Sequence, residues 1–154
     1  MNRPILIHNQ NSPLNLLAKF DQDIEFDYSN SEYKSIDEYI SKKVIENIKS
    51  KKIDLIYIKD NLSSNYLELY GLRVAYHIRL TPELKFVPIV LLSDLDGCCL
   101  SKLEPMARIL FTKNVFLEPN SVKTIEKYQN KVFSNFIESR YKSNSNAKRT
   151  KDKC

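Results

Sequence analysis

Five short apolar runs, each followed by a segment with helical spacing, constrain this chain more than any other feature of its sequence. The runs are Pro4–His8, Asp23–Tyr28, Ile53–Ile58, Val87–Leu92 and Val115–Leu117. All but the second, in which Ile24, Phe26 and Tyr28 alternate, are apolar nearly throughout, as strands are when helices cover both faces of a parallel sheet. Between them lie amphipathic stretches. Ser12 and Pro13 open the first, which runs to Phe20, with serine suited to the N-cap and proline to the first helical position. Ser35 opens the second, through about Ser50, with Ile36, Tyr39, Ile40, Val44 and Ile48 as its apolar stripe. The third spans Tyr66–Leu80, the fourth Cys99–Phe111 with Pro105 inside it, and the last runs from Ser121 to about Tyr141.

An alternating β-α order with right-handed crossovers gives an open, doubly wound sheet. The expected fold is α/β of the flavodoxin-like (βα)5 kind, strand order 2-1-3-4-5. Ligands of such sheets bind outside the carboxyl ends of the strands. That places the functional edge at Asn9, Gln10, Lys59, Ser93 and Glu118.

Composition narrows the chemistry. The chain has 154 residues and a net charge of +5. Five of its cations (Lys142, Lys148, Arg149, Lys151 and Lys153) crowd the polar end, leaving the rest nearly neutral. We expect a domain over 1–141 and a basic, disordered tail or linker over 142–154. Only two glycines occur, Gly71 and Gly97, too few for a phosphate-cradling loop. Two histidines and three cysteines without metal spacing predict no metal site and no cofactor. Cys98, Cys99 and Cys154 are expected as thiols in a reducing compartment. No apolar run approaches the length of a membrane span and the start lacks a signal-peptide pattern, so a cytoplasmic protein is expected.

Taken in order, these segments resemble the receiver domains of bacterial two-component response regulators over about residues 3–140. Ile5-Leu6-Ile7-His8 looks like the first strand, Asp54–Ile58 like the third, and Lys59-Asp60-Asn61-Leu62 like the loop that follows. Val87–Ser93 looks like the fourth strand with its terminal hydroxyl residue, and Phe116-Leu117-Glu118-Pro119 like the fifth. The resemblance implies the fold, but the phosphorylation chemistry does not carry over. The acidic pair that holds magnesium maps to Asn9 and Gln10, neutral amides that bind a hard cation poorly. The phosphoacceptor maps to Lys59 and the phosphate-contacting lysine to Glu118; Ser93 alone keeps its type.

The expected function is therefore a phosphorylation-independent pseudo-receiver, a signalling and regulatory module without catalysis. Its partner would be another protein or a second copy, docked on the fourth-helix, fifth-strand, fifth-helix face. Two alternatives stand beside it. Asp60 could be the acceptor, although it should face away from Lys59 along the strand. The tail from Lys142 could bind nucleic acid. The exchanged charges leave a further pair of readings: Lys59 and Glu118 form a permanent ion pair in the old pocket, or both face solvent. His77, Tyr66, Tyr70 and Tyr76 are read as surface or packing residues, with no partner for His77 evident from sequence.

Overall fold

The computed structural model describes residues 3–9, 17, 19–29, 31–63, 65 and 68–129. Gln10, most of the first predicted helix, Tyr66 and the 142–154 tail lie outside the described residues. The elements are β1 (Pro4–His8), β2 (Asp23–Glu25), α1 (Ile36–Tyr39), a π-helical turn (Ile40–Ile45), α2 (Glu46–Lys49), β3 (Leu55–Lys59), α3 (Tyr70–Leu80), β4 (Ile89–Leu92), α4 (Gly97–Leu103), α5 (Ala107–Leu110), β5 (Val115–Glu118) and α6 (Val122–Gln129).

The five strands form one parallel sheet in the order β2-β1-β3-β4-β5. Residues alternate between two cores. Ile5, Ile7, Ile56, Ile58, Ile89 and Leu91 enter one, against α1–α2 and α3. Leu6, Leu55, Tyr57, Val90, Leu92 and Phe116 enter the other, where Tyr128 of α6 and Phe20 meet the Tyr57 ring edge-on. Both faces are dry, which is why the strands read as unbroken apolar runs.

Several boundaries differ from the sequence expectation for identifiable reasons. β2 leaves the sheet after Glu25, and the Asp27 N–H then donates to the Tyr39 hydroxyl at 2.8 Å. β3 starts two residues later than expected and reaches Lys59. The fourth helix starts earlier, because the Asp96 carboxylate caps it by accepting from the Cys99 N–H at 2.8 Å. It then splits at Glu104, which is extended, before Pro105, which lacks the N–H needed to continue. Ser35 caps α1 as expected, accepting from the Glu38 N–H. The π turn after it buries Val44 and Ile45 side by side, whereas the sequence stripe used Val44 alone. Cys99 is an exposed free thiol, but Cys98 is disulfide-bonded, contrary to the expected thiol.

At the amino-terminal edge of the sheet, Arg79 ties α3 to the turns that precede β4 and β5. Its guanidinium donates to the carbonyls of Lys113 (2.6 Å), Val87 (2.6 Å), Leu84 (3.1 Å) and Asn114 (3.1 Å). Asn114 turns the chain into β5 with φ of 63°, a conformation asparagine tolerates better than most residues.

Candidate functional site

The carboxyl ends of β1, β3, β4 and β5 bring Asn9, Lys59, Asp60, Ser93 and Glu118 to one edge of the sheet. Register explains their grouping. Lys59 pairs with Leu92, and Leu92 pairs with Glu118, so Lys59 and Glu118 stand level with each other but two strands apart. That is a separation of about 10 Å between backbones, with Leu92 in between.

The two charges do not pair, which corrects the ion-pair expectation. The Lys59 ammonium donates to the Asn9 side-chain carbonyl at 3.3 Å. Glu118 takes its partners from α6, accepting from Lys127 at 2.8 Å and from the Tyr128 hydroxyl at 3.1 Å. Lys127 also lies over the Tyr128 ring, 5.4 Å from its centroid, within the roughly 6 Å over which such contacts attract. Nor does the solvent-facing alternative describe them: the Glu118 side chain is only 15% exposed and Lys59 is half-buried.

Asp60 departs furthest from expectation. It does face away from Lys59, as strand alternation requires, but the same alternation brings it to Ser93. The Ser93 hydroxyl donates to one Asp60 carboxylate oxygen at 2.7 Å and accepts from the Leu95 N–H at 3.0 Å. The other Asp60 oxygen accepts from the Asn61 N–H at 2.8 Å. Burial holds the Asp60 carboxyl above its usual range, against the opposing pull of the Ser93 hydrogen bond. Counting by twos from Ile56 and Ile58, and from Ile89 and Leu91, would have placed Asp60 and Ser93 on a common face from sequence alone.

α3 reaches this edge through Gly71. A Cβ there would lie 2.1 Å from the Lys59 carbonyl and 2.8 Å from that of Asp60, while the Gly71 N–H donates to the Asp60 carbonyl at 2.9 Å. Only glycine permits that approach. On the other flank His8 is buried, one ring nitrogen 2.7 Å from the Asp23 carboxylate and the other 3.0 Å from the Asn9 carbonyl. The ring thereby fixes β1 against β2 and holds the Asn9 backbone.

His77 has partners that sequence did not show. Its Nε2 lies 3.0 Å from Asp37 and its Nδ1 lies 3.5 Å from the Ser41 hydroxyl. The His77 hydrogen bond holds the Asp37 carboxyl below its usual range, with Arg73 adding to the effect. The serine contact is long for proton transfer, so the cluster straps α3 to α1.

Among the described residues, no group of three or more His, Cys, Asp or Glu could hold a metal ion, and no helix is long and apolar enough to cross a membrane. The parallel sheet in 2-1-3-4-5 order, with this edge at its carboxyl ends, defines a flavodoxin-like receiver fold. The family model of the Inactive Receiver domain matches residues 11–118, more than half of the chain, and the protein belongs to that family. No curated protein matches the sequence. The family is one of regulatory modules that are not phosphorylated and are generally without enzymatic activity.

Proposed function

We propose that the protein is a pseudo-receiver that regulates by binding another protein or a second copy of itself, in a state set without phosphorylation. The observation that carries this reading is the hydrogen bond from Lys59 to Asn9. A lysine that donates to an amide stands where the resemblance places an acceptor beside an acidic pair. It cannot form an acyl phosphate, and the amide is a poor ligand for magnesium.

The docking face lies on α4, α5, β5 and α6. Leu103 and Ile109 are 49% and 55% exposed there, which suits a surface covered by a partner. The Asp60–Ser93 contact favours one other reading, a receiver phosphorylated on Asp60, because hydroxyl and carboxylate already touch.

Amide NMR of the full chain, titrated with Mg²⁺ and then with Mg²⁺ plus beryllofluoride, separates the two. The pseudo-receiver leaves Asn9, Lys59, Asp60, Ser93 and Glu118 unmoved. Saturable shifts at Asp60 and Ser93 would establish phosphoacceptor chemistry instead. For self-association, sedimentation of L103S/I109S against the parent chain should show weaker assembly if the partner is a second copy.

A further inference from the structure

His8 closes β1 beside the carboxyl edge and is only 5% exposed. Both of its ring nitrogens are in contact. Nε2 lies 2.7 Å from the Asp23 carboxylate, and Nδ1 lies 3.0 Å from the Asn9 main-chain carbonyl. A carbonyl oxygen only accepts, and so does an ionised carboxylate. Each nitrogen therefore needs a proton of its own. A neutral imidazole has one N–H and would set a bare lone pair against one of the two oxygens.

The other place for the extra proton is the Asp23 carboxyl. That side chain is 49% exposed, so water solvates its charge, and imidazole is the stronger base of the two. The ring is thus the better holder of the proton.

The charged neighbours are few. On β2, Asp23 and Glu25 are exposed carboxylates, and Glu25 is the register partner of His8. On β3, Lys59 follows Ile58, the register partner of Ile7, and is the cation that opposes them. α6, which packs on the same face as Leu6, carries Lys123, Glu126 and Lys127, all exposed, and Lys127 is bound to Glu118. Burial raises the Tyr57 and Tyr128 hydroxyls of that face, so both stay neutral. Residues 10–18 contain no acid or base, and Lys19 and Asp21 beyond them are exposed.

The position of the ring gives its charge a consequence. β2 is joined to β1 by three register pairs, so a side-chain tie at Asp23 adds much to a short seam. Asn9 leads onward to the site, because its side-chain carbonyl accepts from Lys59 at 3.3 Å.

We infer that His8 is held as an imidazolium and works as a proton-operated latch between β2 and the carboxyl-edge site. With both protons the ring pins Asp23 and fixes Asn9 for Lys59. As pH rises and one proton leaves to water, one contact is lost. With Nε2 bare, Asp23 and β2 are released; with Nδ1 bare, the Asn9 carbonyl is released and Lys59 loses its fixed acceptor. The proton count stands on the geometry alone. Its meaning as a regulatory input, pH in place of phosphorylation, rests on the pseudo-receiver reading.

The test is NMR of the full ¹⁵N-labelled chain from about pH 5 to 8, the span over which histidine serves as a charge switch. Long-range ¹H–¹⁵N spectra read the imidazoles directly, and H77Q removes the signals of the chain's other histidine. At the acid end the two ring nitrogens of His8 should resonate together, as in an imidazolium. On raising the pH they should split into the unequal pair of a neutral tautomer, and the amides of Asn9, Asp23 and Lys59 should shift on the same curve. D23N, at a half-exposed position, should move that curve to lower pH, and H8Q should flatten it at Asn9 and Lys59. A neutral tautomer at the acid end of the range, in a chain that remains folded, would overturn the proton count. A ring that keeps both protons to the top of the range would overturn the switch, as would Asn9 and Lys59 amides that stay still while the ring titrates. The beryllofluoride titration judges the pseudo-receiver reading separately, since it probes Asp60 and Ser93 at fixed pH.

Discussion

The two edges of the sheet are built to different standards. At the amino-terminal edge one guanidinium, that of Arg79, satisfies four main-chain carbonyls and fixes two turns at once. At the carboxyl-terminal edge the strands end in side chains that each find a separate partner: Lys59 with Asn9, Asp60 with Ser93, Glu118 with α6. One edge is a shared clamp, in which the loss of one residue releases two turns at once. The other is a set of local contacts, in which each loss is contained. In a fold whose ligands bind at the carboxyl ends, stability sits at one edge and the other remains free to change chemically.

This contrast can be broken by experiment. The largest effect is expected for R79M, which strips charge-assisted hydrogen bonds from three part-buried carbonyls and one exposed one; urea unfolding should show a loss of about 3 kcal/mol. A loss near that for K59M would overturn the comparison. Next comes G71A, in which a methyl group is forced against the Lys59 and Asp60 carbonyls. It should cost about 1–3 kcal/mol by overpacking and shift the amide resonances of both residues. The strap between α1 and α3 is smaller. D37N should cost about 0.5 kcal/mol at neutral pH, the scale of an exposed pair.

The pH dependence of these effects has opposite signs at Asp37 and Asp60. Asp37 has a lowered folded value, so its contribution is present above the unfolded carboxylate range and is lost as pH falls through the folded value. The D37N difference should therefore shrink towards acid. Asp60 has a raised folded value, so its contribution is fullest below the unfolded range and declines as pH rises through the raised one. D60N should accordingly compare better with the parent at neutral pH than in acid, in urea titrations run at both. The smallest effect is K59M itself, expected within about 0.5 kcal/mol of the parent, since one long hydrogen bond to an amide is lost at a half-buried position.

The order of elements and the sheet order were legible in the sequence, because apolar runs and helical stripes report burial directly. So was the Ser35 cap, a local signal. The gathering of Asn9, Lys59 and Glu118 at the carboxyl edge could also be read, since it follows from strand order. Pairing was harder. Glu118 chose Lys127 and Tyr128, nine and ten residues along the chain, because α6 packs over the end of β5 and Leu92 blocks the way to Lys59. The Arg79 clamp acts on backbone carbonyls, which carry no residue-type signature. The π turn depends on a hydrogen-bond shift that the spacing of Ile40, Val44 and Ile48 does not announce. The Asp27–Tyr39 hydrogen bond needs the chain after β2 folded back on α1, a contact no periodicity encodes.

The outermost strand, β2, has a bearing on how the protein behaves in company. It spans only Asp23–Glu25, burying Ile24 between two exposed acidic residues. A longer, uncharged strand at that margin would offer a ladder of open amides and carbonyls to any extended chain, including another copy in the act of folding. Three residues with a carboxylate at each end offer little to zip onto. The brevity that makes β2 the weakest strand in the sheet thus guards the chain against edge-to-edge aggregation.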